Sequence, residues 1–238
     1  MAYRIAVDIG GTFTDFCVFN EENSSLSTHK VLSTPNKPGS EIVLGVTELE
    51  EKGVLVPTEV SWFSHGTTVG INTVIQRSGA ELALFVTSGF EDVLEVARLK
   101  VPDPYNIFSR RADPLVPRER VFGICQRTLK DGSVDSELNE ETVKKAIKSA
   151  KDMGSDTIVI ALLHSYANNK DERRIREIIN SIEPEMAVTL SSDVWPVIRE
   201  YERTVTTTEA GSVQRRVANY LTAFQNALKT AGISRSEE

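Results

Sequence analysis

RIAVDIGGTFTDFCVF, residues 4–19, sets two glycines, two threonines and two aspartates between apolar runs. The Ile, Val and Phe content of residues 4–9 and 13–20 predicts two strands joined by a tight reversal. A Gly-Gly pair suits a two-residue hairpin, because both central positions favour positive φ and glycine reaches it without a Cβ clash. That reading leaves Asp8 unexplained, since a carboxylate ending an apolar strand is costly to bury unpaired. A phosphate site would use it. Gly10 and Gly11 let backbone amides approach an anion, Thr12 and Thr14 can donate hydroxyl hydrogen bonds, and Asp8 can hold magnesium through water. The full pattern D-x-G-G-T-x-T-D, closed by Asp15, is more specific than a lone Gly-Gly-Thr.

Working outward, LSTHKVLS over 26–33 predicts a third strand. Beyond Pro35 and Pro38, Ile42, Val43, Val46 and Leu49 recur at helical spacing, with Gly53 as the stop. VSWFSHG (60–66) reads as a buried strand, TTVGINTVIQRSG (67–79) as a short helix and ELALFVTSG (81–89) as the next strand. Alternation of this kind implies parallel neighbours. Prolines 102, 104, 114 and 117 and a cluster of arginines then break the rhythm, so that 89–137 reads as an irregular excursion. A helix resumes after a cap at Asn139, with Val143, Ala146, Ile147 and Ala150 on one face. TIVIALLHSY, KDERRIREIINSI and MAVTLSS give strand, helix and strand. From about Ser212 to Ala231 the spacing of Val213, Val217, Tyr220, Leu221 and Phe224 predicts a final helix whose apolar face wants a partner.

The chain has 238 residues, 40% of them hydrophobic and 26% charged, which is enough for a sizeable core. A net charge of −7 argues against a nucleic-acid surface. Cys17 and Cys125 have neither disulfide-framework nor zinc spacing, and a reducing cytoplasm is the simplest compartment. No apolar run has the length of a membrane span, so a soluble protein with no membrane partner is expected.

In HGTTVGINTVI (65–75), His65 and Gly66 end a strand while Thr67 and Thr68 sit where a helix begins, so amides and hydroxyls could face the space of the first turn. His65 is equally readable as structural, and Asn72 as a packing or solvent residue. His29 and His164 are read as structural. Glu200, Glu202 and Arg203 read first as a surface salt-bridge set, with an active-site or interface role as the second reading.

DIGGTFTD resembles the first phosphate loop of the actin, sugar-kinase and heat-shock ATPase superfamily. More narrowly, VDIGGTFTD (7–15), HGTTVGINTVI (65–75), LLHSY (162–166) and REYERT (199–204) are similar to the N-terminal region of the hydantoinase A, 5-oxoprolinase and acetone carboxylase β-subunit family. The resemblance implies an α/β ribonuclease H-like ATPase lobe: a mixed sheet with a three-strand antiparallel meander, then parallel βα units, plus a second βαβ portion. The corresponding division is 1–88 for the lobe carrying the phosphate loop, 89–137 for the excursion, 138–208 for the α/β portion completing the lobe, and 209–238 for a C-terminal helix or partner-binding tail. It implies ATP and magnesium as cofactors and activation of a cyclic amide, a ketone or bicarbonate by phosphorylation. Asp8 would hold the metal and act with His65 in catalysis, and Gly10, Gly11, Thr12, Thr14, Asp15, Gly66, Thr67, Thr68 and Asn72 would surround the nucleotide. No second D-x-G-x-T follows residue 15, and EAGSV (209–213) is a poor substitute. The expectation is therefore one lobe, inactive alone, completed by a missing C-terminal lobe or a partner subunit. A non-catalytic assembly or regulatory module of the same fold is the alternative, and a sugar kinase fits less well.

Overall fold

In the computed structural model, which describes residues 2–34, 37–99 and 101–233, the opening stretch forms β1 (Tyr3–Ile9) and β2 (Phe13–Asn20). Pro35, Lys100 and the part of the 209–238 tail beyond residue 233 lie outside the described residues. The chain divides into two compact units, residues through Ile75 with those from Arg216 onward, and Gln76–Arg215.

In the first unit, β3 (Ser25–Leu32) completes an antiparallel meander, α1 (Ser40–Glu51) follows, and β4 (Val60–Thr67) returns parallel to β1, giving the order β3-β2-β1-β4. A short helix, α2 (Val69–Ile75), ends this portion. The period-two pattern of β1 is strict: Tyr3, Ile5, Val7 and Ile9 are buried while Arg4, Ala6 and Asp8 are exposed. The buried set packs with Phe16 and Val18 of β2, Ile42, Val46 and Leu49 of α1, and Tyr220, Phe224 and Leu228 near the C-terminus. Each such aliphatic side chain contributes roughly 1.5–3 kcal/mol on burial. β4 is not the buried strand that its composition suggested. It is the sheet's edge, and of its residues only Val60 is buried.

In the second unit, β5 (Leu82–Thr87), α3 (Val93–Val96), β6 (Val121–Ile124), the hairpin β7 (Arg127–Thr128) and β8 (Val134–Ser136), α4 (Glu140–Asp152), β9 (Thr157–Ala161), α5 (Lys170–Ile182), β10 (Ala187–Leu190) and α6 (Ser191–Val194) precede the long helix α7 (Glu200–Thr230). α7 gives its residues through Arg215 to this unit and the rest to the first. The sheet is parallel, in the order β10-β9-β5-β6. Every residue of β5 and β9 is buried, as expected of strands covered on both faces. Val143, Ala146, Ile147 and Ala150 of α4 and Ile175, Ile178 and Ile179 of α5 cover one face, and Leu94, Val116 and Val205 pack against the other. Asn139 caps α4, its side chain accepting from the amides of Glu141 and Thr142.

These units differ from the division expected at 1–88, 89–137, 138–208 and 209–238. β5 does not extend the first sheet; its unbroken apolar run is satisfied only at the centre of the second. Residues 101–117 are irregular, as their prolines require, but Val121–Ile124 returns as a strand beside β5. The final helix begins at Glu200 rather than near Ser212, so EAGSV is helical. Gly211 lies there because a Cβ would come within 2.7 Å of Val159.

The tightest packing in the first unit is at Gly45 of α1, where an added Cβ would overlap the Phe16 ring. Gly45→Ala is expected to lower stability by about 1–3 kcal/mol through overpacking, although alanine favours helix by roughly 0.8–1 kcal/mol. Urea unfolding of the variant against wild type measures the difference.

Candidate functional site

The reversal between β1 and β2 is not a Gly10-Gly11 turn. The Gly10 amide donates to the Phe13 carbonyl at 3.0 Å, so Gly11 and Thr12 occupy the bend, and neither glycine has positive φ. Gly10 is required by proximity instead, since a Cβ there would sit 3.0 Å from the Phe13 oxygen, whereas one at Gly11 would meet nothing within 4 Å. Ser33 braces the bend from behind. Its amide donates to the Thr12 carbonyl at 3.0 Å, and its hydroxyl donates to the Gly10 carbonyl at 2.8 Å and lies 2.9 Å from Thr14 Oγ1. Among the described residues the amides of Gly11 and Thr12 have no protein partner.

The strand register places Asp8 directly opposite Asp15, with Gly66 as its neighbour on β4. Both carboxylates are on the exposed face, so the burial cost that argued for a special role of Asp8 is absent. A different cost replaces it. Opposed residues on adjacent antiparallel strands have Cβ atoms about 5 Å apart, and like charges there repel. Lys30 Nζ reaches Asp15 at 2.9 Å, while Asp8 has no ion-pair partner among the described residues. Gly66 leaves room beside it: a Cβ would lie 3.6 Å from Asp8 Oδ1. The unpaired Asp8 carboxylate, opposite the Lys30-paired Asp15 and beside unbonded amides, suits magnesium, which takes one or two carboxylates and completes its shell with water and phosphate oxygens. No group of three or more ligating side chains occurs among the described residues.

Other expected participants lie elsewhere. Thr14 shares its face of β2 with Phe16 and Val18, is fully buried and is bonded to Ser33, so its hydroxyl is not offered to a phosphate. His65 is the neighbour of core-facing Val7, on the opposite face from Asp8. Its ring stacks on Phe224 at a centroid distance of 4.0 Å and lies 6.0 Å from Tyr220. Burial lowers the His65 pKa and raises that of the Tyr220 phenol. Thr67 accepts from the Val69 amide, and Thr68 Oγ1 accepts from Asn72 Nδ2 at 3.0 Å, so these residues brace the start of α2. The arrangement thus brings together Asp8, Gly10, Gly11, Thr12, Asp15 and Gly66, and separates them from His65 and Thr14.

Residues missed in the sequence are Ser33 and Lys30. Arg203 is not part of a surface set. It is buried, and donates to the carbonyls of Leu162 at 2.9 Å and Val197 at 2.8 Å and to Ser191 Oγ at 3.2 Å. Glu172, also buried, accepts from the Leu162 and Ser192 amides and from Ser191, so the two charges share one network at the carboxyl ends of β9 and β10. His29 bonds Glu48 at 2.6 Å, in keeping with a structural role.

A mixed α/β protein with an antiparallel meander and a separate parallel sheet is defined by the fold. The chain belongs to the hydantoinase/oxoprolinase N-terminal region family, whose model matches residues 4–183. It is 33% identical to an uncharacterized protein of Methanocaldococcus jannaschii, over 98% of this chain and 34% of that protein. It is 30% identical to the acetophenone carboxylase gamma subunit of Aromatoleum aromaticum, over 96% of this chain and 33% of the subunit. The solved ATP-dependent caprolactamase from Pseudomonas jessenii superposes with a TM-score of 0.88 at 28% identity, covering 98% of this chain and 34% of that one. The chain therefore spans about a third of the length of these relatives. No helix among the described residues is long and apolar enough to cross a membrane.

Two predictions follow from the charges. Without divalent cations, Asp8→Asn should raise the melting temperature by relieving the repulsion from Asp15, an effect of about 0.2–1 kcal/mol. Magnesium should raise the melting temperature of wild type and leave the variant unmoved; a variant less stable than wild type in chelator would contradict the repulsion.

The second concerns pH. Because burial lowers the His65 pKa below the ordinary 6.5, the folded state favours neutral imidazole. That stability is complete above pH 6.5 and is lost as pH falls through 6.5 toward the lower folded value. His164 shifts in the same direction, through burial first and then Arg127 and Arg203. His65→Phe, which preserves the stack on Phe224, should flatten the acid limb of stability against pH relative to wild type, and denaturant melts at pH 7 and 5 test it.

Proposed function

We propose that this chain is the phosphate- and magnesium-holding region of an ATP-dependent enzyme that activates a carbonyl group, the substrate being a cyclic amide or ketone. The observation that carries this reading is the opposed Asp8–Asp15 pair beside the bend at Gly11 and Thr12. The names of the relatives support it, since one is a carboxylase subunit and another an ATP-dependent lactamase.

Bound MgATP would supply a phosphoryl group that converts a carbonyl or bicarbonate oxygen into a leaving group. The chain's own part is positioning and charge neutralisation. Asp8 orients the metal, and Asp15 adds charge that Lys30 partly balances. The Gly11 and Thr12 amides would donate to phosphate oxygens, and Ser33 fixes the bend so that little ordering is needed on binding. Gly66 keeps the adjacent strand clear of the metal's water shell. His65 is assigned a packing role against Phe224 instead of proton transfer. The reaction is proposed for the whole enzyme, with further residues supplied by a second lobe or by a partner subunit.

Calorimetry with MgATP tests the reading. Wild type should bind, Asp8→Ala should bind at least tenfold more weakly, a loss of about 1.4 kcal/mol, and Thr14→Val should lose stability with affinity retained. Equal affinity in wild type and Asp8→Ala, or loss in Thr14→Val alone, would favour a non-catalytic module that keeps the fold.

A further inference from the structure

The second unit holds an open cleft of about 730 Å³ between the end of α3, the irregular segment around residues 101–114 and the first turn of α7. That volume is in the range of small-molecule sites. Its walls are largely aliphatic, from Leu94, Val101, Pro102 and Pro114, while Tyr201 brings a phenol to its lining.

The cleft carries no net positive charge. Arg98 and Arg111 line it together with Glu95 and Asp113. Arg98 is further held in a two-point pair with Glu202, its Nε 2.9 Å from Oε1. The hydrogen bonds from Arg98 hold the Glu202 carboxyl down at about 2, so the pair stays ionised across the neutral range and presents no net charge. Arg111 Nη1 donates to the carbonyls of Glu95 and Val96 at 2.6 and 2.7 Å, which fixes its guanidinium on the end of α3.

The backbone at this rim is strained. Ala97 has φ 49 and ψ −127, and Leu99 has φ 57, conformations that side-chain-bearing residues rarely adopt. Strain of this kind persists where surrounding contacts enforce it and collects at ligand-binding positions. Here arginine bonds to the α3 carbonyls and to the first turn of α7 flank the two residues. REYERT thereby acquires a use: Tyr201 lines the cleft, Glu202 anchors its arginine, and Arg203 secures the start of the helix that carries both.

We infer that this cleft binds an uncharged organic carbonyl compound, its apolar body against the aliphatic walls and its oxygen accepting from the Tyr201 hydroxyl or a guanidinium N–H. A carboxylate ligand would need a net positive site, and the paired acids remove it. The inference rests on the functional reading above for its choice of a ketone and a lactam as probes.

Saturation-transfer NMR on the full chain, without nucleotide or magnesium, tests it with acetophenone, caprolactam and benzoate as probes. The two neutral probes should give signal, and benzoate should bind at least tenfold more weakly than acetophenone. Ala112→Trp, which fills the cleft from an exposed position, should abolish the signal, and Tyr201→Phe should weaken binding severalfold with the fold intact by circular dichroism. Absence of signal in wild type, benzoate binding as tightly as acetophenone, or undiminished signal in Ala112→Trp would each overturn the inference. Asp8→Ala should leave probe binding unchanged, so failure here and failure of the magnesium site are read separately.

Discussion

The strand register that sets Asp8 against Asp15 is the constraint on which the candidate site depends. Like charges directly opposite on neighbouring strands destabilise a sheet, and nothing in the hydrophobic core requires them, because both point away from it. Which face of each strand is buried is fixed from the other side. Val7 meets Phe16 and Ile5 meets Val18 inside the core, and the helix residues Ile42, Val46 and Phe224 pack on the same side. Burial of these side chains outweighs a surface repulsion of a fraction of a kcal/mol. The core thus keeps both carboxylates on one exposed face, and the turn sets them opposite each other, an arrangement that they would not adopt alone and that suits a preorganised cation site.

The same division of labour occurs in the second unit with the signs reversed. Arg203 and Glu172 are buried, and a charge in that setting survives only when its hydrogen bonds are satisfied. Arg203 spends its donors on the Leu162 and Val197 carbonyls and on Ser191, while Glu172 receives two amides and the Ser191 hydroxyl. The network ties the carboxyl ends of β9 and β10 to the start of α7. Burial lowers the pKa of Arg203, with Glu172 acting against that shift. Its neighbour Glu202, partly exposed and held by Arg98, contributes orientation more than stability.

Much of this was legible in the sequence. The meander, α1, the α4 face with its Asn139 cap, and β9 all rest on local periodicity and capping. Thr14, expected at the phosphate, faces the core instead, and the parity it shares with Phe16 and Val18 was the signal that could have placed it there. His65 was not legible, because Trp62 and Phe63 are both apolar and leave the parity of β4 ambiguous; a register shift between Tyr3 and Arg4 obscures it further. β5 could not be assigned to a sheet from its own residues. A strand apolar on both faces satisfies any buried position, and only the complete set of strands decides which sheet has one to fill. Lys30 and Ser33 became visible only with the β2–β3 pairing.

Turn length links the legible to the illegible. A reversal centred on Gly10 and Gly11 would pair Asp8 with Phe13 and Asp15 with Ala6. The observed bend at Gly11 and Thr12 moves β2 along by two residues, which leaves every side chain on its original face. Hydrophobic patterning cannot distinguish the two registers, because both bury the same residues. What differs is the contact of Gly10 with the Phe13 oxygen and the grip of Ser33 on the bend. The opposition of two carboxylates therefore follows from one glycine and one serine hydroxyl, neither of which touches either carboxylate.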